Sequence, residues 1–288
     1  MQDPIRLIVL DMDGTLLYEP CLEIPPINVA ALREAHAQGV QLALCSGRMP
    51  DDAGLFAVHA GLPMHILALN GACCLSGALG EITHSTLIPP EVMARLMPVL
   101  KESQLCLGLF REHELLVTHP PEDDDFFCRL WGTHALSPEG RCKVYRGPEE
   151  LDSFAARGVS KIVVLEYPEK GTLPVLRQAL EVGFPELEVA SSWSGNIEIN
   201  LRGVNKGAAV TALAAQLGIP IAQVMAVGDN DNDLPMLRVA GVAVAMGNAT
   251  PAAMACAHYT TLTCKEHGAA AAVRALVLGE KVPGVYKR

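Results

Sequence analysis

The chain has 288 residues, half of them hydrophobic and 19% charged, with 22 basic against 32 acidic side chains and a net charge of −10. Such a composition supplies a buried core and excludes a disordered chain. The acidic balance also speaks against a nucleic-acid surface or a polybasic membrane patch, since both need cations facing phosphate. The nine cysteines are odd in number and show no CxxC spacing, which argues against a disulfide framework and against structural zinc. No basic segment or cleavage site precedes the apolar stretch Leu7–Leu10, and no apolar run reaches the roughly 18 residues needed to span a bilayer. A reduced, soluble, cytoplasmic protein is the expectation.

In chain order, Ile5–Leu10 is a continuous apolar run, the pattern of a strand buried on both faces of a parallel sheet. Pro25 and Pro26 open a helix that ends near Gly39, and strands follow at Val40–Cys45 and Ile66–Leu69, with a loop between them. This alternation predicts βαβ units. A helix over Glu91–Ser103 precedes Cys106–Phe110 and Leu115–Thr118, which flank a hairpin turn at 111–114. A strand at Lys161–Leu165 and a helix at Thr172–Glu181 complete a middle region of different, α+β character, placed at residues 84–188. The first pattern then returns. Asn205–Leu217 is a helix closed by Gly218, followed by a strand at Val224–Val227, a short helix at Leu234–Val239, a strand at Val242–Val244 and a last helix at Ala269–Val277.

Four short segments carry chemistry. Asp11-Met12-Asp13-Gly14-Thr15 sets two carboxylates directly after a buried strand, where open α/β sheets place their ligands. An Asp-Gly turn alone is ordinary, but two acids facing one site repel each other and favour a cation between them. Gly228-Asp229-Asn230-Asp231-Asn232-Asp233 follows another apolar strand; a solvated acidic loop explains its composition, and a loop offering oxygen ligands to Mg²⁺ also explains its position. Ser46-Gly47-Arg48, again after a strand, offers a hydroxyl and backbone N–H groups to a phosphate oxygen. Lys206 stands in the first turn of a helix, where the macrodipole opposes a cation on a plain surface but cooperates with it in binding phosphate.

Taken in chain order, Asp11 to Thr15, Ser46-Gly47, Lys206 and Gly228 to Asp233, the four segments resemble those of the haloacid dehalogenase (HAD) superfamily of phosphotransferases. Asn70-Gly71-Ala72, Gly203-Val204-Asn205-Lys206-Gly207, Asp233-Leu234-Pro235-Met236-Leu237 and Met246-Gly247-Asn248-Ala249 resemble its Cof-type subfamily. The resemblance implies a Rossmann-like parallel-sheet α/β core over residues 1–83 and 189–288, with a smaller α+β cap over 84–188 inserted after the third core strand. It further implies that Asp11 is the nucleophile, forming an aspartyl-phosphate, and that Asp13 is the general acid and base. Mg²⁺ would be held by the Asp11 side chain, the Asp13 carbonyl and the Asp229 side chain. Ser46, Gly47, Lys206 and Asn232 would grip the phosphoryl oxygens, while Asp233 would pair with Lys206 or hold a metal-bound water. Cys45 stands before Ser46 where smaller or β-branched residues are commoner in the family, a departure that touches no catalytic group.

The implied function is Mg²⁺-dependent hydrolysis of phosphomonoesters of small soluble metabolites, with sugar phosphates as the expected class. Alternatives are a sugar-phosphate phosphomutase and a non-catalytic phosphometabolite sensor; a sensor would have no need of both Asp11 and Asp13. The expected partner is a small phosphate ester, with no nucleic acid or membrane, and the chain acts as a monomer or homodimer. Arg111, His113, Arg129, Trp131 and His134 are cap candidates for substrate selection. Arg48 either reaches substrate or lies on the surface, Asn248 supports the loop near the metal, Cys73-Cys74 is packing, and the acidic run 122–125 is a solvated loop.

Overall fold

The computed structural model describes residues 3–18, 23–120, 122, 131, 142–167 and 171–288. β1 (Leu7–Leu10) is buried along its whole length, as a strand covered on both faces must be. α1 (Pro26–Ala37) takes its proline in the first turn and buries Ala31, Leu32 and Ala35. β2 (Gln41–Cys45), α2 (Pro50–Ala60) and β3 (Met64–Ala68) follow, then the antiparallel pair β4 (Cys73–Leu75) and β5 (Ile82–Ser85). The middle of the chain forms α3 (Pro90–Glu102), β6 (Cys106–Arg111), β7 (Glu114–Val117), β8 (Lys143–Arg146), α4 (Leu151–Ala156), β9 (Lys161–Leu165), α5 (Leu173–Gly183), β10 (Leu187–Ala190) and β11 (Asn196–Leu201). The last third forms α6 (Lys206–Gln216), β12 (Val224–Gly228), α7 (Leu234–Val239), β13 (Val242–Ala245), α8 (Pro251–Cys256), β14 (Tyr259–Thr260), α9 (Gly268–Leu276) and β15 (Tyr286–Lys287).

Among the described residues these strands make two sheets. The larger has the order β15-β14-β13-β12-β1-β2-β3-β4-β5. It is parallel from β14 to β3, with antiparallel strands at both edges. Helices cover both faces. Ile8, Leu10, Leu42 and Leu44 share one cluster with α1 and α9, whereas Leu7, Val9, Ala43 and Cys45 pack with α6 and α7. The α/β class and the parallel core expected from the alternating pattern are therefore present.

The second sheet has the order β10-β11-β9-β6-β7-β8 and is antiparallel except between β7 and β8. Period-2 alternation divides its side chains. Ile162 and Val164 of β9 face α3, α4 and α5, while Val163 and Leu165 join the cluster of the larger sheet. One face of the second sheet is thereby turned toward the first, and the two meet above the carboxyl ends of β1, β2 and β12.

Two expectations need correction. The stretch between β2 and β3, read as a loop, contains the 11-residue helix α2. A side chain at Gly54, in its middle, would collide with the Ala78 carbonyl, so glycine serves close packing there. The boundary at residue 188 also falls inside the second sheet. β11, at Asn196–Leu201, pairs with β9 and β10 rather than with the core strands, because its buried Ile197 and Ile199 complete the cluster under α5.

Candidate active site

Parallel pairing puts Leu10 level with both Val227 and Leu44, so Asp11, Asp229 and Ser46 emerge side by side where their strands end. Gly14 holds φ +80°, and a Cβ there would overlap the Asp229 carboxylate; glycine is what lets the first loop close onto the second. Thr15 Oγ1 donates to Asp229 Oδ1 at 2.9 Å. Asn248 Nδ2 donates to the Gly14 carbonyl at 2.9 Å and to Asp229 Oδ2 at 3.3 Å. The expected supporting role of Asn248 matches these contacts.

Lys206 is the first residue of α6, whose N-cap Asn205 accepts from Ala208 N at 3.0 Å. Its ammonium is fully buried and lies 2.5 Å from both Asp11 Oδ1 and Asp233 Oδ1. Asp233 Oδ2 accepts the backbone N–H groups of Asp229 and Asn230 at 2.8 and 3.0 Å. Both Asp233 oxygens are thus engaged, and the residue orients Lys206 and the acidic loop rather than offering a free ligand atom.

Carboxylate oxygens of Asp11, Asp229 and Asp233 all lie within 4.8 Å of one another. Three buried acids face one ammonium. Burial, then the charge of Asp233, pushes Asp11 well above the usual carboxylate range despite the opposing Lys206. Burial and Asp233 likewise push Asp229 to about 7. Burial works against the charge on Lys206, but Asp11 and Asp233 outweigh it and hold the ammonium protonated. A hard divalent cation held by the Asp11 and Asp229 oxygens would relieve the excess negative charge, and an all-oxygen donor set is what Mg²⁺ prefers. The residues present fit such an ion.

Asp13 is not gathered into this cluster. Its side chain is 58% exposed and sits in the fork of Arg48, with Nε to Oδ2 at 2.8 Å and Nη2 to Oδ1 at 2.6 Å. The other side of the guanidinium reaches the fully buried Asp52 at 2.7 Å, and its plane stands 5.1 Å from the centre of the Phe56 ring. Arg48 is thus neither a loose surface residue nor open to substrate in this arrangement; α2 anchors it and it anchors Asp13. The Ser46 hydroxyl accepts from Arg48 N at 3.1 Å, and Asn232 is buried in a short 3₁₀ turn.

A second buried pair escaped sequence reasoning. Lys161, at the start of β9, lies 3.0 Å from Glu198 of β11 and donates to the Gly47 carbonyl at 2.9 Å. Asn70 donates to Glu198 Oε2 at 2.7 Å and to Asn200 Oδ1 at 3.2 Å. Burial lowers the Lys161 ammonium despite its partner, whereas Lys161 and its neighbours hold Glu198 below the usual range against burial. This network joins the second sheet to the turn at Ser46-Gly47. The available signal was a charge inside an apolar strand, Ile197-Glu198-Ile199, since a buried acid demands a partner.

The cap candidates fare unevenly. His113 Nδ1 lies 2.5 Å from the buried Asp51 at the start of α2, tying the β6–β7 hairpin to the core. Trp131 is buried against Phe110, with ring centres 6.2 Å apart. Arg111 closes β6, half-buried. Arg129, His134 and residues 123–125 of the acidic run lie outside the described residues.

A family model for haloacid dehalogenase-like hydrolases matches residues 8–273. The chain belongs to that family. Over 276 residues, this HAD-like hydrolase is 30% identical to the 5-amino-6-(5-phospho-D-ribitylamino)uracil phosphatase of Bacillus subtilis, covering 95% of this chain and 96% of that protein. It is also 30% identical over 265 residues to the pyridoxal phosphate phosphatase of Escherichia coli, covering 87% and 90% of the two chains. Among solved structures, a haloacid dehalogenase-like hydrolase from B. subtilis superposes with a TM-score of 0.81 at 26% identity, covering 94% of this chain and 100% of that one. Among the described residues, no helix is long and apolar enough to cross a membrane.

Proposed function

We propose that this HAD-like hydrolase is a Mg²⁺-dependent phosphomonoesterase of small phosphorylated metabolites, sugar phosphates among them, working through an aspartyl-phosphate on Asp11. The observation that carries the reading is the buried Lys206 ammonium fixed between Asp11 and Asp233 beside Asp229. It presents one Asp11 carboxylate in a single orientation, with positive charge where phosphoryl charge would arrive. Phosphatase activity has further support from relatives that are phosphatases over nearly the whole chain.

In this scheme Mg²⁺, held by Asp11, the Asp13 carbonyl and Asp229, would draw charge from the phosphoryl oxygens. Asp11 attacks phosphorus, the ester bond breaks, and the departing oxygen takes a proton from Asp13. Water then attacks the aspartyl-phosphate as Asp13 removes its proton, releasing inorganic phosphate and free Asp11. Lys206, Ser46, Gly47 N–H and Asn232 grip the phosphoryl group. Both Asp13 oxygens are held by Arg48, so donation in the first step requires Asp13 to leave that fork. The test is phosphate release from a panel of phosphorylated metabolites with Mg²⁺. Release from at least one, absent in Asp11→Asn, supports the proposal; release that survives Asp11→Asn contradicts it.

A further inference from the structure

The turn Ser46-Gly47-Arg48 is fixed in large part by the core itself. Ser46 N donates to the Leu67 carbonyl at 2.9 Å, and the Ser46 and Arg48 carbonyls accept from Asn70 N and Leu69 N, each at 3.0 Å. The Gly47 carbonyl is held differently, by the Lys161 ammonium of the second sheet at 2.9 Å. That carbonyl and the Arg48 N–H belong to one rigid peptide plane. The Arg48 N–H donates to the Ser46 hydroxyl at 3.1 Å. Lys161 therefore grips one edge of the plane and Ser46 the other. Rotation of this peptide would carry with it the hydroxyl read above as a phosphoryl ligand. It would also shift the root of the Arg48 side chain, whose fork holds Asp13.

The close approach of the ammonium depends on glycine at position 47. A Cβ there would lie 2.8 Å from Lys161 Nζ, 3.2 Å from Asn70 Oδ1 and 3.3 Å from Glu198 Oε1, so a side chain would displace the ammonium from the carbonyl. Lys161 and Glu198 are only 2% and 4% exposed. Burying such a pair forfeits its hydration, and apolar side chains of similar volume are often as stable or more so. Asn70 Oδ1 is buried beside them with no hydrogen-bond partner among the described residues, a further cost. Stability therefore does not explain why charge stands here. Positioning does: a charged donor holds a carbonyl more strongly than a neutral one, and Glu198 keeps that donor charged against burial.

The geometry points to Lys161 as a positioning residue for phosphoryl transfer: from the second sheet it fixes the Gly47–Arg48 peptide, and through it the Ser46 hydroxyl and the hold of Arg48 on Asp13. This rests on the phosphatase reading above and adds to it a residue that touches neither substrate nor metal. The test compares Lys161→Met, Glu198→Gln and the two combined, by thermal melts and by kcat on the best metabolite of the panel, well below every Tm. Lys161→Met alone should lower both Tm and kcat, because it strands a buried carboxylate and frees the peptide. The kcat loss should be about ten- to a hundredfold, the scale for a gripping group moved out of place. Adding Glu198→Gln should return most of the Tm and none of the kcat, a split that a merely structural pair would not show. Glu198→Gln alone should lower Tm and keep most of kcat, since Gly47 retains its donor. Orthovanadate, which adopts the five-coordinate geometry of a transferring phosphoryl group, should in calorimetry with Mg²⁺ bind the double variant more weakly by the same factor, with inorganic phosphate less affected. Recovery of both Tm and kcat in the double variant overturns the inference and leaves the phosphatase reading intact. Where the double variant does not fold, Glu198→Gln settles the matter: kcat kept supports the inference, and kcat lost as fully as in Lys161→Met overturns it. Wild-type protein that releases no phosphate from the panel and binds no vanadate overturns the phosphatase reading, and this inference with it.

Discussion

Replacing Lys206 by methionine keeps most of the stem's volume and deletes one charge at the centre of the site. The ammonium lies 2.5 Å from Asp11 and 2.5 Å from Asp233, and none of the three is appreciably exposed. Breaking a buried pair from one side costs about 3–5 kcal/mol because the other charge is left uncompensated, and here two carboxylates lose their shared partner. At about 2–4 °C per kcal/mol for a chain of this size, Tm should fall by about 6–20 °C near neutral pH. The loss should shrink as pH falls, since the orphaned Asp11, which burial holds well above the usual carboxylate range, becomes protonated and needs no partner. For catalysis the lost contact is a preorganised charge facing the phosphoryl group, so kcat should fall by about a hundredfold or more, with KM changing less. Thermal melts at several pH values and phosphate release well below the lowered Tm measure the two effects separately. Adding Asp233→Asn should cost little beyond Lys206→Met alone, because coupled residues are non-additive. A Lys206→Met protein with near wild-type kcat and unchanged Tm would refute the reasoning.

Chelation with EDTA should abolish turnover and Mg²⁺ should restore it, while Ca²⁺ should inhibit because its larger, looser shell spoils in-line geometry; full activity in chelator would remove the metal from the account. The metal-free protein should lose stability as pH rises from about 4 to about 7, because burial pushes Asp229 to about 7, so that the folded state holds a proton the unfolded state has released. Mg²⁺ should therefore raise Tm more near pH 8 than near pH 5, and an equal shift at both would contradict the cation site. Arg48→Lys keeps the charge but cannot reproduce the two-pronged hold on Asp13 together with the bond to Asp52; kcat should drop about ten- to a hundredfold through misplacement of Asp13, and an unchanged kcat would make the fork incidental to catalysis.

Much of the core and its acidic loops was legible because their signals are local. An apolar run such as Leu7–Leu10 followed at once by Asp11 and Asp13 can be read without knowing any partner, and a lysine in a helix's first turn is conspicuous for its misfit with the macrodipole. What escaped depends on contacts between distant positions. The use of Gly54 inside a helix shows only once the Ala78 carbonyl is seen against it. Lys161 and Glu198 look like ordinary strand charges until β9 and β11 pair. Short strands such as β8 and β10 carry too few residues for a period. Asp13 was expected beside Asp11, but the fork of Arg48, fixed from α2, holds it at the rim.

The central claim, covalent transfer to Asp11, is tested most directly by trapping. Asp13→Ala lacks the base for the second half-reaction, and p-nitrophenyl phosphate needs little protonation to lose its phenolate, so phosphoenzyme should accumulate. Acid quenching, reduction with borohydride and peptide mass spectrometry should then find homoserine at position 11, the product of reducing an aspartyl-phosphate. The account predicts that product at Asp11 and its absence in Asp11→Asn. Phosphate release from Asp13→Ala with position 11 unmodified throughout turnover would contradict it.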